Sequence, residues 1–417
     1  MRLKRNALRA VAGALAWMLL SAPALAEDKR HAVVMTHDFT PARAALLTEL
    51  VSRFNAQDKR YRVELLRRGD ASADKPTLMV LDGDDEQALR RSKQFSPMYQ
   101  VMAASGYTLG RARGRAADIG MTVDDAGRRL ALPVGMHTPV LFMNRQAFRE
   151  VGLDPDTPPR TWKSLQDALG KLFEAGYACP YTVARPSWVM LDNVSARQNE
   201  GVTRRQGRSE QLSVNGMLQI RHVAMMASWV RARYLHVFDS NAEAEKRFAH
   251  GECAVIAASS ADWPTFNQTA AFDIAVGELP YYDDERGGVG GTLADGPSLW
   301  AAARKSRNDY RAAASFVRFM LQPDSQLAWQ RGTGFLPLDA SGMVAGKAVA
   351  DDQPNLKVAR TQLRLDDTKS SGIGLAALPR RTEVRAILDE ELAAVWADVK
   401  PAKQALDTAV VRASAVK

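Results

Sequence analysis

Nucleophilic side chains are present in this chain of 417 residues, but their spacing matches no catalytic motif. The serine pair Ser259-Ser260 lacks the Gly-x-Ser-x-Gly turn that exposes a nucleophilic serine. No His-Glu-x-x-His zinc motif occurs, and no glycine-rich loop ends in Lys-Ser or Lys-Thr to hold phosphates. The sequence therefore predicts a protein that is not an enzyme.

The N-terminus has the features of a secretory signal peptide. Four basic residues lie within Met1–Arg9, Ala10–Leu20 is an uncharged apolar run, and the small residues at 24–26 precede Glu27. This order is typical of a signal peptide cleaved after residue 26. An uncleaved membrane anchor is the alternative, but the apolar run is shorter than the ~20 residues that span a bilayer. We expect residues 1–26 to be removed and the mature chain to act in the periplasm.

The chain has two cysteines, Cys179 and Cys253. Export would place them in an oxidising compartment, where a disulfide between them could persist. Two buried free thiols are the alternative, because the sequence does not give the distance between the two Cα atoms. We expect no metal site at either cysteine, since neither stands beside a second cysteine at ligand spacing.

The basic charge of the chain does not indicate nucleic-acid binding. The formal net charge is +9, but four of these charges lie in the signal peptide, which leaves the mature chain near +5. The other basic residues are spread along the chain, with no arginine-rich or lysine-rich block that alternates with aromatic residues. We therefore expect no nucleic acid as a partner.

Helical and strand patterns alternate along the chain. Strands are predicted at Ala32–Met35, Tyr61–Leu66, Thr77–Leu81, Thr138–Met143 and Cys253–Ala258. Helices are predicted after Thr40-Pro41, at Thr161–Gly176, at Arg311–Leu321 and at Glu383–Trp396. Strand–helix–strand alternation favours parallel sheets with helices on their faces.

Two such α/β systems predict two lobes with a ligand cleft between them. The first lobe is predicted to comprise residues 27–137 plus about 290–342, and the second residues 138–289 plus about 343–417. Because each lobe receives a late segment of chain, several crossings would join the two lobes. The stretch Asp283–Gly291 is predicted to be a flexible loop near one of these crossings.

Five blocks of sequence resemble the family-1 extracellular solute-binding proteins, in particular the sn-glycerol-3-phosphate-binding type. They are Thr138–Trp162 (TPVLFMNRQAFREVGLDPDTPPRTW), His250–Ser260 (HGECAVIAASS), Gly296–Trp300 (GPSLW), Gly332–Pro337 (GTGFLP) and Ser371–Lys417. Their order and spacing are specific, although each block alone is not. The resemblance implies the two-lobed type II periplasmic binding protein fold, each lobe a doubly wound α/β sheet, with no cofactor and no catalysis. It also implies a monomer whose partners are a small-molecule solute and the permease subunits and ATPase of an ABC importer.

The resemblance implies ligand contacts at the positions that match the family's site. These residues are Asp82, His137, Arg185, Trp188, Ser259, Ser260, Asp295, Gly296 and Phe335. The indole of Trp188 either stacks on a glycerol or sugar face or belongs to the core. The carboxylates of Asp82 and Asp295 would accept hydrogen bonds from ligand hydroxyls. His137 faces either the ligand or the hinge, and His37 is a weaker candidate of the same kind.

Several positions depart from the family's pattern. The segment Arg67–Lys75 lacks the family's ligand-facing tyrosine, and Phe335 replaces a second tyrosine. Gly374 stands where the family has the arginine that holds phosphate, a charge-assisted contact worth ~1.5–3 kcal/mol. Arg185 either replaces this cation, as the obvious one nearby, or is a solvated loop charge. These changes favour a neutral or singly charged ligand over a phosphate dianion.

The sequence thus predicts the periplasmic solute-binding component of an ABC importer for a small polyhydroxylated solute. The candidate solutes are glycerol 3-phosphate, a glycerophosphodiester, and a neutral sugar or polyol. The alternative is a degenerate two-lobe scaffold that serves as a sensor partner or structural periplasmic protein without transport.

Overall fold

The computed structural model describes residues 28–70, 75–81, 89, 92–112, 123–207, 209–284, 289–345, 353–364, 378 and 380–416. The predicted signal peptide, Asp82, Gly374 and part of the predicted loop after Asp283 lie outside the described residues. The strands are β1 His31–His37, β2 Tyr61–Arg67, β3 Leu78–Leu81, β4 Phe95–Ser96, β5 Leu132–Pro133, β6 Pro139–Asn144, β7 Cys179–Val183, β8 Thr203–Gln206, β9 Ser209–Leu212, β10 Leu235–His236, β11 Cys253–Ser259, β12 Ile274–Gly277 and β13 Ser298–Ala302.

Helices alternate with these strands along the chain. They are α1 Pro41–Gln57, α2 Met98–Ala103, α3 Arg145–Glu150, α4 Trp162–Glu174, α5 Val194–Arg197, α6 Met217–Arg231, α7 Asn241–Ala249, α8 Trp263–Thr269, α9 Arg307–Met320, α10 Pro323–Thr333, α11 Pro354–Leu363, α12 Arg381–Trp396 and α13 Ala402–Ser414. A π-helical turn at Trp188–Asn193 precedes α5, and a 3₁₀ turn at Ser260–Asp262 precedes α8. Among the described residues, no helix combines the length and apolar character needed to cross a membrane.

The first sheet has the strand order β2-β1-β3-β13-β4, with β5 paired to β13. Strand β1 runs parallel to both β2 and β3, as the strand–helix–strand pattern predicted. Strand β13 runs antiparallel to β3. Helices α1 and α9 cover the sheet, and the rings of Phe54 and Phe316 meet edge to face at 5.3 Å in its core.

The second sheet has the strand order β10-β7-β11-β6-β12. Strands β10, β7 and β11 are parallel, whereas β6 is antiparallel to both of its neighbours. Both sheets are therefore mixed, rather than parallel throughout. Two parallel strands that follow each other in the chain need a crossover connection between them. Strands β6 and β13 each arrive directly from the other sheet, so this requirement does not apply and they can run antiparallel.

Two extended segments connect the sheets side by side. One leads from β5 to β6 and the other leads into β13. The backbone N–H of His137 donates to the carbonyl of Asp295 at 3.0 Å, and the N–H of Asp295 donates back at 2.9 Å. Gly296 has φ +133°, and a Cβ there would lie 1.6 Å from the carbonyl oxygen of Gly135. Only glycine allows the two segments to approach so closely.

Helix α11 contacts both halves of the molecule. Its residues Leu356 and Leu363 belong to the core of the first sheet. Its Gln362 accepts from the N–H of Leu279 at 2.9 Å and donates to the carbonyl of Pro139, at the start of β6. Helices α12 and α13 pack on α6, beside the second sheet. The predicted residue limits of the two lobes stay a prediction.

Cys179 and Cys253 lie opposite each other on the parallel strands β7 and β11. Their Cα atoms are 4.5 Å apart and their sulfur atoms are joined as a disulfide. Both cysteines are buried, in contact with Ile256 and Phe248 in an apolar cluster of the second sheet.

We predict that replacing both cysteines by alanine lowers the free energy of unfolding by about 2–5 kcal/mol, because the bridge closes a long loop in the unfolded chain. Urea denaturation of the oxidised wild type and the double variant measures this difference. Reduced wild type is the control and should unfold near the variant. Equal midpoints for the oxidised and reduced wild type would show that the bridge contributes nothing.

Candidate functional site

A cavity of about 340 Å³ lies beside the two connecting segments. Its size is within the range of small-molecule sites. Residues of the first-sheet side, the connecting segments and the second-sheet side form its wall. It consists of Asp38, Phe39, Thr40, Arg43, Val80, His137, Arg185, Trp188, Asp295, Pro297, Phe335 and Arg385.

Aromatic rings form one side of the cavity. The His137 ring stacks on Phe335 at 5.9 Å and meets the edge of Trp188 at 5.4 Å. Trp188 is only 2% exposed and begins the π-helical turn after β7, so the same ring belongs to the core and to the wall. These faces offer apolar contact to the carbon skeleton of a polyol or sugar.

The imidazole of His137 is uncharged in this setting. Burial is the main cause that lowers its pKa to about 3, and the positive charge of Arg185 acts in the same direction. Among the described residues, no hydrogen-bond partner reaches Nδ1 of His137. A neutral imidazole has one nitrogen that donates and one that accepts a hydrogen bond.

Two arginines lie at one end of the cavity. Arg43, in the first turn of α1, holds its guanidinium 4.7 Å from the Phe335 ring centre, and its Nη2 donates to the carbonyl of Ala261 at 3.5 Å. Arg185 follows β7, and its guanidinium lies 5.7 Å from the centre of the Trp188 ring. Thus α1 and the end of β7 each contribute one cation.

The backbone of Arg185 is in the left-handed region, with φ +56°. This conformation is unfavourable for a residue with a side chain. The side chain of Asn241, at the start of α7, accepts the N–H of Arg185 at 2.6 Å. Strain of this kind persists where the surroundings fix it, and such places are often ligand sites.

At the other end, arginines of α12 neutralise a buried carboxylate. Nη2 of Arg381 donates to Oδ1 of Asp295 at 3.0 Å, and Arg385 lies 3.8 Å from Oδ2. Burial alone would raise the pKa of Asp295, but the two arginines outweigh it and hold the pKa well below its usual range. Arg385 also lies 3.5 Å from Asp192, whose pKa burial raises to about 7.

The structure brings together five of the residues that the sequence singled out. His137, Arg185, Trp188, Asp295 and Phe335 all line the cavity. Whether each contacts a ligand stays a prediction.

The other singled-out residues lie elsewhere or are engaged in local bonds. Oγ of Ser259 accepts from the N–H of Ala261 at 3.1 Å. Oγ of Ser260 accepts from the N–H of Thr138 at 3.3 Å. Gly296 allows the two connecting segments to approach each other closely. His37 is buried, and its Nδ1 accepts from Phe39. Asp82 lies outside the described residues.

Sequence reasoning missed three arginines. The sequence predicts Arg185 as the one obvious cation near the ligand, whereas Arg43 and Arg385 also line the cavity and Arg381 lies behind Asp295. Two signals in the sequence pointed to them. Arg43 begins a helix just after a strand, and Arg381 and Arg385 are four residues apart, on one face at the start of α12.

The wall therefore carries three arginines and two aspartates. Asp38 pairs with Arg68, and Asp295 pairs with Arg381, both partners outside the wall. The wall is thus weakly positive. In the part of the chain that the structure describes, no group of three or more histidine, cysteine, aspartate or glutamate side chains could hold a metal ion.

A family model for bacterial extracellular solute-binding proteins matches residues 66–356, which is more than half of the chain. The chain belongs to this family. Among curated relatives, it is 27% identical to the sn-glycerol-3-phosphate-binding periplasmic protein UgpB of Pectobacterium atrosepticum, over 99% of this chain and 96% of that protein. It is 29% identical to UgpB of Salmonella typhimurium, over 87% of each.

Solved structures show the same two-lobed fold. UgpB of Mycobacterium tuberculosis, in complex with glycerophosphocholine, matches with a TM-score of 0.70 at 19% identity, over 91% of this chain and 97% of that one. The cyclic α-maltosyl-1,6-maltose binding protein of Arthrobacter globiformis matches with a TM-score of 0.71 at 20% identity, over 93% and 99%. The predicted family and fold are confirmed. The homologues are periplasmic binding proteins of the ABC import type.

We predict that Arg381→Gln lowers the free energy of unfolding by about 3 kcal/mol at pH 7.5, because it leaves the Asp295 carboxylate poorly compensated. The depressed pKa of Asp295 stabilises the fold above the unfolded-state pKa, and this contribution is lost as pH falls. The difference between variant and wild type should therefore shrink at pH 3, which is below the unfolded-state pKa of about 3.9. Urea denaturation at both pH values measures it.

The matched control is Arg380→Gln. Arg380 precedes α12 and pairs with Glu383 at the surface, so its replacement should change the free energy of unfolding by less than about 1 kcal/mol. Equal losses for the two variants would contradict the special role of the Arg381–Asp295 pair.

Proposed function

We propose that this chain is the periplasmic solute-binding component of an ABC importer, and that its solute is polyhydroxylated and carries a single negative charge, as a glycerophosphodiester does. The mature protein would deliver the solute to membrane permease subunits driven by an ATPase, and would return it chemically unchanged. The observation that carries the choice of solute is the wall with three arginines and two aspartates.

Charge balance favours a monoanion. The carboxylates of Asp38 and Asp295 would repel a dianion more strongly than a monoanion. A neutral solute would leave arginines in a partly buried site without a ligand partner, which is unfavourable. A solute with a single anionic group avoids both costs.

Aromatic and polar groups of the wall suit the remainder of such a solute. Trp188 and Phe335 offer apolar faces, while the neutral imidazole of His137 adds a polar group to the wall. One solved relative holds glycerophosphocholine, a phosphodiester, which supports this class, whereas other relatives are named for sn-glycerol 3-phosphate, a monoester.

A neutral sugar is the second candidate. The aromatic wall favours it, because an indole stacks well on a sugar face. Structural neighbours at 14–20% identity include proteins named for maltose-type sugars or acarbose. The charge of the wall supports the anion over the neutral sugar.

We predict that glycerophosphocholine binds at least tenfold more tightly than maltose, a difference of about 1.4 kcal/mol. Isothermal titration calorimetry with glycerophosphocholine, glycerol 3-phosphate and maltose measures it, and thermal shift provides a second readout, since a bound solute raises the melting temperature. A preference for maltose would favour the neutral sugar. Failure of every solute in a wide panel of polyols, sugars and glycerophosphates would favour a scaffold without transport.

We predict that Trp188→Phe weakens binding of glycerophosphocholine by 0.5–1.5 kcal/mol, or roughly twofold to tenfold, because the smaller ring covers less of the solute. Titration calorimetry measures the affinity and thermal unfolding measures the stability. Trp162→Phe is the matched control, because Trp162 is equally buried but packs on His222 and Trp229, away from the cavity wall. It should lower the melting temperature and leave the affinity unchanged. Equal affinity losses would contradict a wall role for Trp188.

A further inference from the structure

The backbone of Arg185 is left-handed at an unusual place in the chain. Its φ of +56° is close to the +59° of Arg233 and the +58° of Asp398. Arg233 and Asp398 each lie just beyond the end of a helix, where this conformation is common. Arg185 instead follows strand β7 and precedes Pro186, and a residue before proline favours extended backbone. Local sequence preference therefore does not explain the conformation of Arg185.

Hydrogen bonds to three neighbouring elements hold the backbone around Arg185. The N–H of Ala184 donates to the carbonyl of Ala257 in β11 at 2.9 Å, and the N–H of Val189 donates to the carbonyl of Arg185 at 3.0 Å. The N–H of Arg185 itself donates to Oδ1 of Asn241 at 2.6 Å. Of these three bonds, the last is the one that uses a side chain. A substitution at Asn241 can therefore remove it without altering the backbone partners.

Asn241 is suited to fix a conformation, because its helix is anchored in the core of the second sheet. It is the first residue of α7, after the N-cap Ser240. Phe248, on the same helix, meets Phe266 edge to face at 5.1 Å inside an apolar cluster. The amide of Asn241 is thus held at a fixed position beside the end of β7.

The side chain of Arg185 lies in the cavity wall. Its guanidinium is 5.7 Å from the centre of the Trp188 ring, within the range of a cation–π contact. Glu245 and Asp262 attract this guanidinium through space. Within the described residues, no side-chain hydrogen bond or ion pair of Arg185 is formed. Its N–H donors can therefore bond directly to an anionic group in the cavity.

We propose that Asn241 is a positioning residue of the solute site, which holds Arg185 in the left-handed conformation from which the guanidinium binds the anionic group of the solute beside Trp188. This inference rests on the proposed capture of an anionic solute. A guanidinium presents parallel N–H donors that match two oxygens of a phosphodiester. Without the contact to Asn241, the backbone of Arg185 would relax toward negative φ, and its side chain would leave this direction.

A double-mutant cycle tests the proposal, with glycerophosphocholine as the probe and titration calorimetry as the measurement. Arg185→Ala should weaken binding by at least about tenfold, because a charge-assisted contact is lost. Asn241→Ala should weaken it by roughly threefold to tenfold, since one hydrogen bond holds the arginine in place. The double variant should bind no more weakly than Arg185→Ala. A residue that acts through Arg185 has no further effect once Arg185 is replaced.

The matched control is Arg233→Ala. Arg233 has the same backbone conformation on the same half of the molecule, but its guanidinium lies over Phe173, away from the cavity wall. Its replacement should leave the affinity unchanged. Circular dichroism checks the folding of every variant, and Asn241→Leu or Arg185→Gly takes the place of an alanine variant that fails to fold.

Thermal unfolding without solute tests the backbone strain separately. Arg185→Gly should melt at a higher temperature than Arg185→Ala, because glycine adopts positive φ without a clash of Cβ. Equal melting temperatures would contradict a strained conformation at this position and with it the need for Asn241 to hold it.

The outcomes separate this inference from the proposed function. If wild type binds glycerophosphocholine and Asn241→Ala binds it equally well, the inference is wrong and the proposed function stands. The same holds if the effects of Asn241→Ala and Arg185→Ala add in the double variant, because Asn241 would then act independently of Arg185. If wild type binds no anionic solute, the proposed function itself fails.

Discussion

The paired backbone of His137 and Asp295 is the constraint on which the rest of the site depends. Their two reciprocal hydrogen bonds hold the two connecting segments side by side, and Gly296 lets the segments touch. Both residues also turn their side chains into the cavity wall. The same bonds therefore join the two halves of the fold and position the imidazole and the carboxylate relative to each other.

A buried carboxylate at such a junction needs a strong partner, because an uncompensated charge there would destabilise the fold by several kcal/mol. Arg381 supplies it from the first turn of α12, a helix that also packs on α6 beside the second sheet. The C-terminal helices thus stabilise the junction as well as the second core. The apolar face of α12 packs in the second core, and Arg381 in its first turn compensates the charge of Asp295.

The fold was predictable from periodicity, because strands such as β1 and β11 and helices such as α1 and α12 carry clear apolar patterns. The antiparallel direction of β6 and β13 was not, since direction depends on where the chain enters a sheet rather than on local pattern. For the site, matching positions in related sequences led to Trp188 and Asp295. They did not lead to Arg43 or Arg385, because neither position was among those matched to the family's ligand contacts.

Gly374 stands where the family has a phosphate-holding arginine, and this replacement illustrates why such a site tolerates change. Charge attraction depends mainly on distance, and an arginine side chain is long enough to reach one cavity from several elements. Here guanidinium groups enter from α1, from the end of β7 and from α12. They line the cavity from several elements and do not form one bidentate contact at a single end of it. Such an arrangement fixes the sign of the ligand's charge more firmly than its geometry, which suits a diffuse monoanion better than a compact dianion that requires bidentate contacts.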